Sequence, residues 1–417
     1  MYTNLKIALR FLLAKKRSML MSLVGIAMGV GFIILTQAIT SGFQDFFVRT
    51  IIGTDGAMRV EDKMFQDMTP SVGVVDDKGR SIGSMTVESN RKYQEGVAEP
   101  RLVSEAIRRF PDVANVSAVL RGNIGIQSAT REDAGQVFGV ELEDHLAVSD
   151  LGRQIIMGGI DDFGKSPSGV LVGSVLAMRL GLKPGDSVLI SYAGQSTRYR
   201  VSAIYETGIR DIDKVRVFMH MQEARILLNR PYGATYLQIG LRDINKAPEM
   251  AGQISALTSH VAKSWQEREQ VWLAVFQFFR VMAAIIVFTI IVVSGLGMFN
   301  TLFMIVMEKT KEIAILRSMG FTRGDIAFVF IMQGALVLVA GVLAGCGIGA
   351  LATWAVSSMP MPNTGLFAAD HIVVAWRAMH YMGATAASAV VVLIASLLPA
   401  RRAAQLEPAA IIRGASQ

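Results

Sequence analysis

The chain alternates long uncharged stretches with short basic ones, and this pattern predicts much of its architecture. No Asp, Glu, Lys or Arg occurs in residues 18–44, 281–307, 326–369 or 378–400. An α-helix rises 1.5 Å per residue, so about 20 residues cross the hydrocarbon core of a bilayer, which is roughly 30 Å thick. Each stretch is therefore long enough to span a membrane as a helix.

The third stretch is longer than one span needs, and its second half has a different composition. Apolar helical character continues only to about Val356, and the "SSMPMPNTG" that follows contains two prolines and a glycine, which favour a loop. We therefore predict four spans. They are placed at 18–44, 271–307 (including an extension outside the bilayer), 326–356 and 378–400.

The distribution of basic residues predicts how these spans are oriented, because Lys and Arg near span ends favour the cytoplasmic side. They cluster before the first span, in the 308–325 loop and in the 401–417 tail, whereas the 357–377 loop has Arg377 alone. Both termini and the 308–325 loop are thus expected in the cytoplasm, and residues 45–270 outside it. The net charge of +7 partly reflects this asymmetry, so it does not indicate nucleic-acid binding.

The first apolar stretch is expected to be retained as a membrane anchor. A cleavable signal peptide has an apolar region of about 7–15 residues followed by a small-residue cleavage site. Here the stretch is much longer and ends in "AITSGFQDFF", where large residues follow. Residues 1–17 form a basic amphipathic pattern, which predicts a helix on the inner membrane surface leading into the first span.

Residues 45–270 have the patterns of an α+β domain. Strand-like segments rich in Val, Ile and Tyr begin at Ala114, Gly135, Asp186, Ser196 and Lys214.

Helices are predicted over residues 101–110 and 168–182, and a helical pattern runs from about Lys246 towards the second span. That last helix would link the domain rigidly to the membrane, with Arg280 reaching the outer interface. Residues 66–99 are polar and rich in Ser, Asp and Gly, which predicts a mobile insertion.

Five glycines recur at four-residue spacing inside two spans. Gly25 and Gly29 lie in the first span, and Gly341, Gly345 and Gly349 lie in the third. Small residues at this spacing let helices approach closely in lipid. Two interpretations stay open, namely an interface between two subunits and packing within one.

No motif in the sequence supports catalysis by this chain. Residues 159–166, "GIDDFGKS", match the phosphate-binding loop pattern, but Pro167 interrupts the helix that this loop requires, so we expect a surface loop. The five histidines lack metal-ligand spacing, and the single cysteine, Cys346, excludes an intrachain disulfide. The uncharged runs contain no ionisable residue apart from His380, at a span end, and Cys346, which also argues against an ion-coupled carrier. The sequence therefore predicts a non-enzymatic chain with no cofactor or metal of its own.

The most informative segment is the charged loop between the second and third spans, "EKTKEIAILRSMGFTRGD" (308–325). Opposite charges three residues apart over 308–312 support a helix, and Gly320 is a suitable stop. Thr322 and Asp325 form a capping-box pattern for the next helix. The residues predict a short amphipathic helix, a break and a second helix. Residue patterns alone leave a merely solvated basic loop equally open.

A family resemblance favours a functional role for this helix. Residues 299–345, which include "EIAILRSMGF", resemble the core of the FtsX/MacB-like permeases of ABC transporters. The segment "LPARRAAQLEPAAIIRG" (398–414) resembles their C-terminal segment. The start, "IALRFLLAKKRSMLMSLVGIAMGVG" followed by "SGFQ", is similar to the lipoprotein-releasing permeases LolC and LolE. The resemblance covers nearly the whole chain.

The resemblance implies a fold of four transmembrane α-helices with a large α+β extracytoplasmic domain, the MacB-like periplasmic core, between helices 1 and 2. It places the protein in a bacterial inner membrane. Residues 308–319 would be a coupling helix seated in a groove of a separate cytoplasmic ATPase, which would bind ATP and Mg. The chain begins almost directly at its first span, so this ATPase is expected as a partner. The expected contact residues are Glu308, Lys309, Lys311, Glu312, Ile315, Arg317 and Met319.

The resemblance also implies a mechanism, mechanotransmission, in which ATP-driven dimerisation of two ATPases moves the coupling helices and the spans pass this motion to the external domain. Further expected partners are a second permease subunit, identical or paralogous, and membrane lipids. A lipoprotein or other amphiphile is the expected substrate. A periplasmic carrier or adaptor protein is the last expected partner, with residues 66–99 as one candidate docking position.

Three alternatives to lipoprotein release stay open. The chain could be an efflux permease of a tripartite pump, an FtsX-like regulator of cell-wall hydrolases, or a membrane-anchored enzyme that uses its external domain. Export of a drug, altered hydrolase activity or a demonstrated catalytic site would distinguish these from release of a lipoprotein.

Overall fold

The computed structural model describes residues 16–62, 71–75, 81–86, 96–258, 260–360 and 371–405. It divides into two compact units. The helical unit comprises the described residues up to Phe46 together with 274–360 and 371–405, and the inserted domain comprises Phe47–Leu273. Of the surface helix predicted over residues 1–17, residues 1–15 lie outside the described residues, and Lys16 and Arg17 belong to the first membrane-length helix.

Four of the described helices, the first, tenth, twelfth and thirteenth of those given next, are long and apolar enough to cross a membrane. The helices are α1 (Lys16–Asp55), α2 (Pro100–Arg108), α3 (Leu142–Val148), α4 (Ile160–Lys165), α5 (Ser174–Leu180), α6 (Arg210–Asp213), α7 (Met221–Leu227), α8 (Ala247–Leu257), α9 (Trp265–Arg268), α10 (Gln270–Glu308), α11 (Thr310–Ser318), α12 (Arg323–Ser357) and α13 (Ala378–Gln405). A 3₁₀ turn, Ile244–Lys246, precedes α8.

The strands that the structure describes all belong to the inserted domain. They are β1 (Met58–Asp62), β2 (Ser71–Val75), β3 (Ser81–Thr86), β4 (Val113–Gln127), β5 (Glu132–Val140), β6 (Ile155–Gly158), β7 (Gly169–Gly173), β8 (Ser187–Tyr192), β9 (Gln195–Tyr205), β10 (Arg216–His220), β11 (Tyr236–Leu241) and β12 (His260–Ser264). Four membrane-length helices with an α+β domain between the first two confirm the predicted fold class.

The main sheet of the inserted domain has ten described strands in the order β12-β1-β11-β4-β5-β10-β7-β9-β6, with β8 paired to β4 and β9. Most pairs are antiparallel, but β10 runs parallel to β5 and β7 runs parallel to β9. Apolar side chains of β4, β7 and β10 are packed against α5 and α7 in one core cluster. A second cluster lies between β1, β11 and α8.

The helix predicted over 168–182 is wrong in its first half. Residues Gly169–Gly173 form β7, and α5 begins only at Ser174. The run Val170–Leu171–Val172 is buried on both faces between β10 and β9. A short apolar run of this kind cannot be distinguished from a buried helix by periodicity alone.

The predicted helical run from Lys246 to the second span is interrupted. Residues His260–Ser264 form β12, which pairs with β1 at the edge of the sheet, and α9 and α10 follow separately. Residues 159–166 are not a loop throughout, because Ile160–Lys165 form the short helix α4 with Phe163 buried. In the predicted mobile insertion, β2 and β3 pair antiparallel, and 63–70, 76–80 and 87–95 lie outside the described residues.

Candidate functional site

The segment between α10 and α12 is a defined helix with defined ends. Thr310 begins α11, and its hydroxyl donates to the carbonyl of Met307 at 2.7 Å, which satisfies the end of α10. After α11, Gly320 has φ +99°. The Gly320 amide donates to the Arg317 carbonyl and the Phe321 amide donates to the Leu316 carbonyl, both at 3.2 Å. These two bonds form a Schellman motif, which ends the helix by satisfying its last carbonyls.

The next helix starts with the predicted capping box. The Asp325 amide donates to the Thr322 hydroxyl at 3.1 Å, and the Thr322 amide donates to the Asp325 carboxylate at 3.0 Å. Both ends of the short connection are therefore fixed by local hydrogen bonds. The predicted sequence of helix, break and helix is confirmed.

The two sides of α11 have different environments. Ile313 and Ala314 are buried, and Ile313 belongs to the apolar core that also contains Phe330 and Ala403. The opposite side carries Ile315 and Met319, which are 54% and 73% exposed. The helix is thus anchored in the bundle by one face while the other presents apolar side chains among charged ones.

The seven predicted contact residues differ in how exposed they are. Glu308, Lys311, Glu312, Ile315 and Met319 are exposed, whereas Lys309 and Arg317 are partly buried. Lys309 forms an ion pair with Glu312 one turn later.

Arg317 has a partner within the helical unit that the sequence does not indicate. Its guanidinium donates to the carbonyl of Ala404 in α13 at 3.2 Å. This bond ties α11 to the end of another membrane-length helix. A main-chain acceptor 87 residues away leaves no signal in the sequence pattern.

The glycine stripe of α12 packs against α1 of the same chain. A Cβ atom added at Gly341, Gly345 or Gly349 would lie 2.8, 2.6 or 3.0 Å from side-chain atoms of Ile26, Val30 or Ile34 respectively. Such distances are shorter than normal van der Waals contact. The stripe therefore permits close approach of two helices within one subunit.

Gly25 and Gly29 face α10 instead. Added Cβ atoms there would lie 3.6 Å from Ser294 and 3.5 Å from Ile290, which is ordinary contact. The Ser294 hydroxyl donates to the Gly25 carbonyl at 3.0 Å, and the Ser22 and Thr301 hydroxyls are 2.8 Å apart. Helix α1 is thus packed between α10 and α12.

An apolar groove of about 360 Å³ runs between α1 and α10 inside the helical unit. Among the described residues that line it, Thr36 and Thr40 are the polar ones. Phe43 and Phe276 meet edge to face at one end, with ring centroids 5.7 Å apart. The lining residues are Phe32, Thr36, Ile39, Thr40, Phe43, Phe276, Phe279, Met282, Ala283 and Ile286.

Comparison with known proteins agrees with this architecture. The chain has four membrane-length helices with a large α+β domain after the first of them. Residues 19–257 match the MacB-like periplasmic core domain, and residues 284–408 match the FtsX-like permease C-terminal family. The chain belongs to the FtsX-like permeases of ABC transporters that carry a MacB-like periplasmic core domain.

Individual relatives cover most of the chain at low identity. The lipoprotein-releasing system transmembrane protein LolC of Xylella fastidiosa is 24% identical over 98% of this chain and 98% of its own length. The macrolide export ATP-binding/permease protein MacB of Psychrobacter cryohalolentis is 23% identical over 97% of this chain and 58% of its own length. The solved periplasmic region of MacB from Actinobacillus actinomycetemcomitans is 10% identical, covers 53% of this chain and 94% of that one, and has a TM-score of 0.34. The predicted family is confirmed.

Proposed function

We propose that this chain is a non-catalytic permease subunit whose α11 receives the motion of a separate cytoplasmic ATPase and passes it through the helical unit to the inserted domain. The observation that carries this proposal is the two-sided environment of α11. Its inner face is packed with Ile313 in the bundle core, and Arg317 holds the end of α13. A force applied to the outer face would therefore move the bundle rather than bend a loop.

The outer face of α11 has the composition of a protein contact. Ile315 and Met319 are large, exposed and apolar, and charged side chains surround them. Apolar anchors inside a polar rim are typical of protein interfaces. In this proposal the ATPase binds ATP and Mg, α11 and both chain termini are cytoplasmic, and a second permease subunit completes the transporter.

The proposed substrate is a lipoprotein in the outer leaflet of the inner membrane. The name of the LolC relative supports this class, and so does the groove between α1 and α10. A groove lined almost wholly by apolar side chains can hold an acyl chain but offers little to a polar solute. Arg280 lies near the end of the groove formed by Phe43 and Phe276, and its guanidinium donates to the side-chain oxygen of Gln44 at 2.7 Å. Motion of α1 against α10 would change the shape of this groove.

Reversing both charges of the Lys309–Glu312 pair tests the proposal. K309E/E312K can form the same ion pair in the opposite sense, so α11 should remain folded while its outer charges no longer match the ATPase. We expect ATP-dependent release of a triacylated lipoprotein from spheroplasts to be lost while the protein still reaches the membrane. Normal release by this variant would refute the assignment of α11.

A matched control is available in the inserted domain. Lys246 and Asp112 form an exposed ion pair at 3.1 Å, far from α11 in sequence. The variant K246D/D112K reverses a comparable pair and is expected to release the lipoprotein normally. Equal loss in both variants would show a general effect of charge reversal.

A further inference from the structure

The last carbonyls at the end of α1, inside the inserted domain, are held by side chains from two other elements, β11 and α9. The last carbonyls of a helix lack partners within the helix. Here Gln238 of β11 donates to the Thr54 carbonyl at 3.1 Å. Arg268 donates through its two Nη atoms to the carbonyls of Asp55 and Gly56, at 3.2 and 3.5 Å. Gly56 itself has φ +67°, so the chain turns sharply away at this point.

Arg268 belongs to the segment that leads directly into α10. It is the last residue of α9, and α10 begins at Gln270. The Leu273 amide donates to the Glu269 carbonyl at 3.0 Å, so helical hydrogen bonding starts immediately after Arg268. One guanidinium therefore connects the end of one membrane-length helix to the start of another.

An aromatic pair joins the same two helices a few turns away. The rings of Phe47 in α1 and Trp272 in α10 have centroids 5.4 Å apart. Phe47 lies eight positions before Asp55, about 12 Å along the helix at 1.5 Å per residue. Two separated contacts fix both the spacing and the axial register of α1 and α10, which one contact would not do.

The side chain of Asp55 fixes this end of α1 to the sheet. Its carboxylate lies 2.9 Å from Arg216 in β10 and 3.5 Å from Arg59 in β1. Burial alone would raise the pKa of Asp55, but Arg216, Arg59 and Arg268 more than offset it and hold that pKa well below its ordinary value. The carboxylate is therefore charged, and removing one partner from such a buried pair leaves an uncompensated charge.

We infer that Arg268 is a positioning residue that locks α1 and α10 in one register inside the inserted domain, so that the two helices deliver their motion to it as a single unit. The inference rests on the proposed function, because it gives a role to the motion that α11 would introduce. It assigns to Arg268 a mechanical role in transport rather than contact with a substrate. The guanidinium suits this role because its rigid fork can hold two carbonyls at once.

Spin labels on the two helices measure this lock in the full-length chain. Arg49 and Val271 are exposed and lie in α1 and α10 within the inserted domain. With Cys346 replaced by alanine, labels at R49C and V271C in nanodiscs report the distance distribution without any ATPase. For R268Q we expect a distribution about twofold broader, because Gln is shorter, uncharged and offers one amide nitrogen in place of the two guanidinium nitrogens that hold the two carbonyls. R268K should lie between R268Q and the parent chain.

R108Q is a matched control. Arg108 also donates to a main-chain carbonyl, that of Val116 at 3.1 Å, and to a carboxylate, that of Asp144 at 2.8 Å. It lies in α2 and makes these contacts to β4 and α3, so its loss should leave the label distance unchanged. An unchanged distribution in R268Q, or equal broadening in R268Q and R108Q, overturns the inference. If R268Q does not reach the membrane, R268K is compared with R108Q instead. Broadening in R268K but not in R108Q supports the inference, and equal distributions in the two variants overturn it.

A transport assay distinguishes a mechanical role of Arg268 from a merely structural one. In spheroplasts, R268Q should hydrolyse ATP in complex with its ATPase but release less triacylated lipoprotein per ATP, and R268K should restore part of that ratio. A broader distance distribution between the spin labels in R268Q, with an unchanged amount of lipoprotein released per ATP, would overturn the mechanical role. Failure of the proposed function itself would differ, because the parent chain would then show no ATP-dependent release while the label distances still depended on Arg268.

Discussion

Gly345 is a position in the helical unit where a single added carbon would collide with the neighbouring helix α1. A Cβ atom there would lie 2.6 Å from the Val30 Cβ and 2.8 Å from the Ala27 carbonyl oxygen, which is main chain and cannot move aside easily. Gly347, two positions along α12, has nothing within 4 Å of its added Cβ. The two glycines therefore form a matched pair in one helix.

We expect G345A to lower the stability of the full-length protein in detergent by about 1–3 kcal/mol, the usual cost of overpacking. G347A should be neutral or stabilising, because alanine is the better helix former by up to about 1 kcal/mol. Thermal unfolding of both variants measures the difference. Equal melting temperatures would contradict close packing of α12 on α1.

His145 gives the inserted domain a predictable pH dependence. The ring is buried, its Nδ1 lies 3.3 Å from the Ser117 hydroxyl, and its ring centroid lies 5.2 Å from that of Phe218. Burial and then the positive charge of Arg216 lower the pKa of His145 from 6.5 to about 4. The unfolded chain therefore takes up a proton between these two values and the folded chain does not.

The folded pKa of His145 is lower than the unfolded one. The neutral histidine therefore contributes to the free energy of unfolding above pH 6.5, and this contribution is lost as the pH falls towards 4. The change amounts to roughly 3 kcal/mol at full extent. H145N removes the titrating group, so the stability difference between parent and H145N should shrink as the pH falls through this range. Hydrogen exchange of the amides of the inserted domain, in the full-length protein, measures this stability difference at each pH. A difference that does not vary with pH would contradict the buried neutral histidine.

At the scale of the elements, uncharged runs predicted the four membrane-length helices because their length and composition leave few alternatives. The short apolar run Val170–Val172 was misread, since a buried strand and a buried helix turn look alike over so few residues. The break at β12 was missed for a related reason, because His260–Ser264 is only five residues long and forms a strand by pairing with β1. Tertiary pairing decided both cases.

In the candidate site too, features that depend on neighbouring residues were predictable and contacts between distant residues were not. The end of α11 and the start of α12 were predictable, because Gly320, Thr322 and Asp325 act on neighbouring residues. The bonds from Arg317 to Ala404 and from Arg268 to Asp55 were not predictable, because each joins an arginine to a distant main-chain carbonyl. Any residue type at position 404 could supply that acceptor.

The groove between α1 and α10 leads to a prediction at the element scale. Ala283 lines it, whereas the adjacent Ala284 is exposed and does not. A283F should fill part of the groove and reduce release of a triacylated lipoprotein from spheroplasts, with normal membrane insertion. A284F adds the same ring to a face outside the groove and should release normally. Equal release by both variants would exclude the groove as the place where acyl chains bind.

At the scale of the whole molecule, the chain consists of a helical unit and an inserted domain, and α1 and α10 are each continuous from one to the other along the chain. Its family is that of ABC-transporter permeases, and a place in the membrane accounts for long apolar runs without Asp, Glu, Lys or Arg. The proposed function assigns the energy source to another chain and the response to the inserted domain. α11, Arg268 and the groove are then three parts of one mechanism.

The most direct test of this account is to purify the tagged chain from its native membrane in mild detergent and identify the proteins that accompany it by mass spectrometry. We predict a stoichiometric ATPase of the ABC class, together with a second permease subunit, and loss of the ATPase from the variant I315S/M319S. Purification of the intact permease assembly without any ATPase would contradict the central claim that this chain transmits the work of a separate ATP-hydrolysing partner.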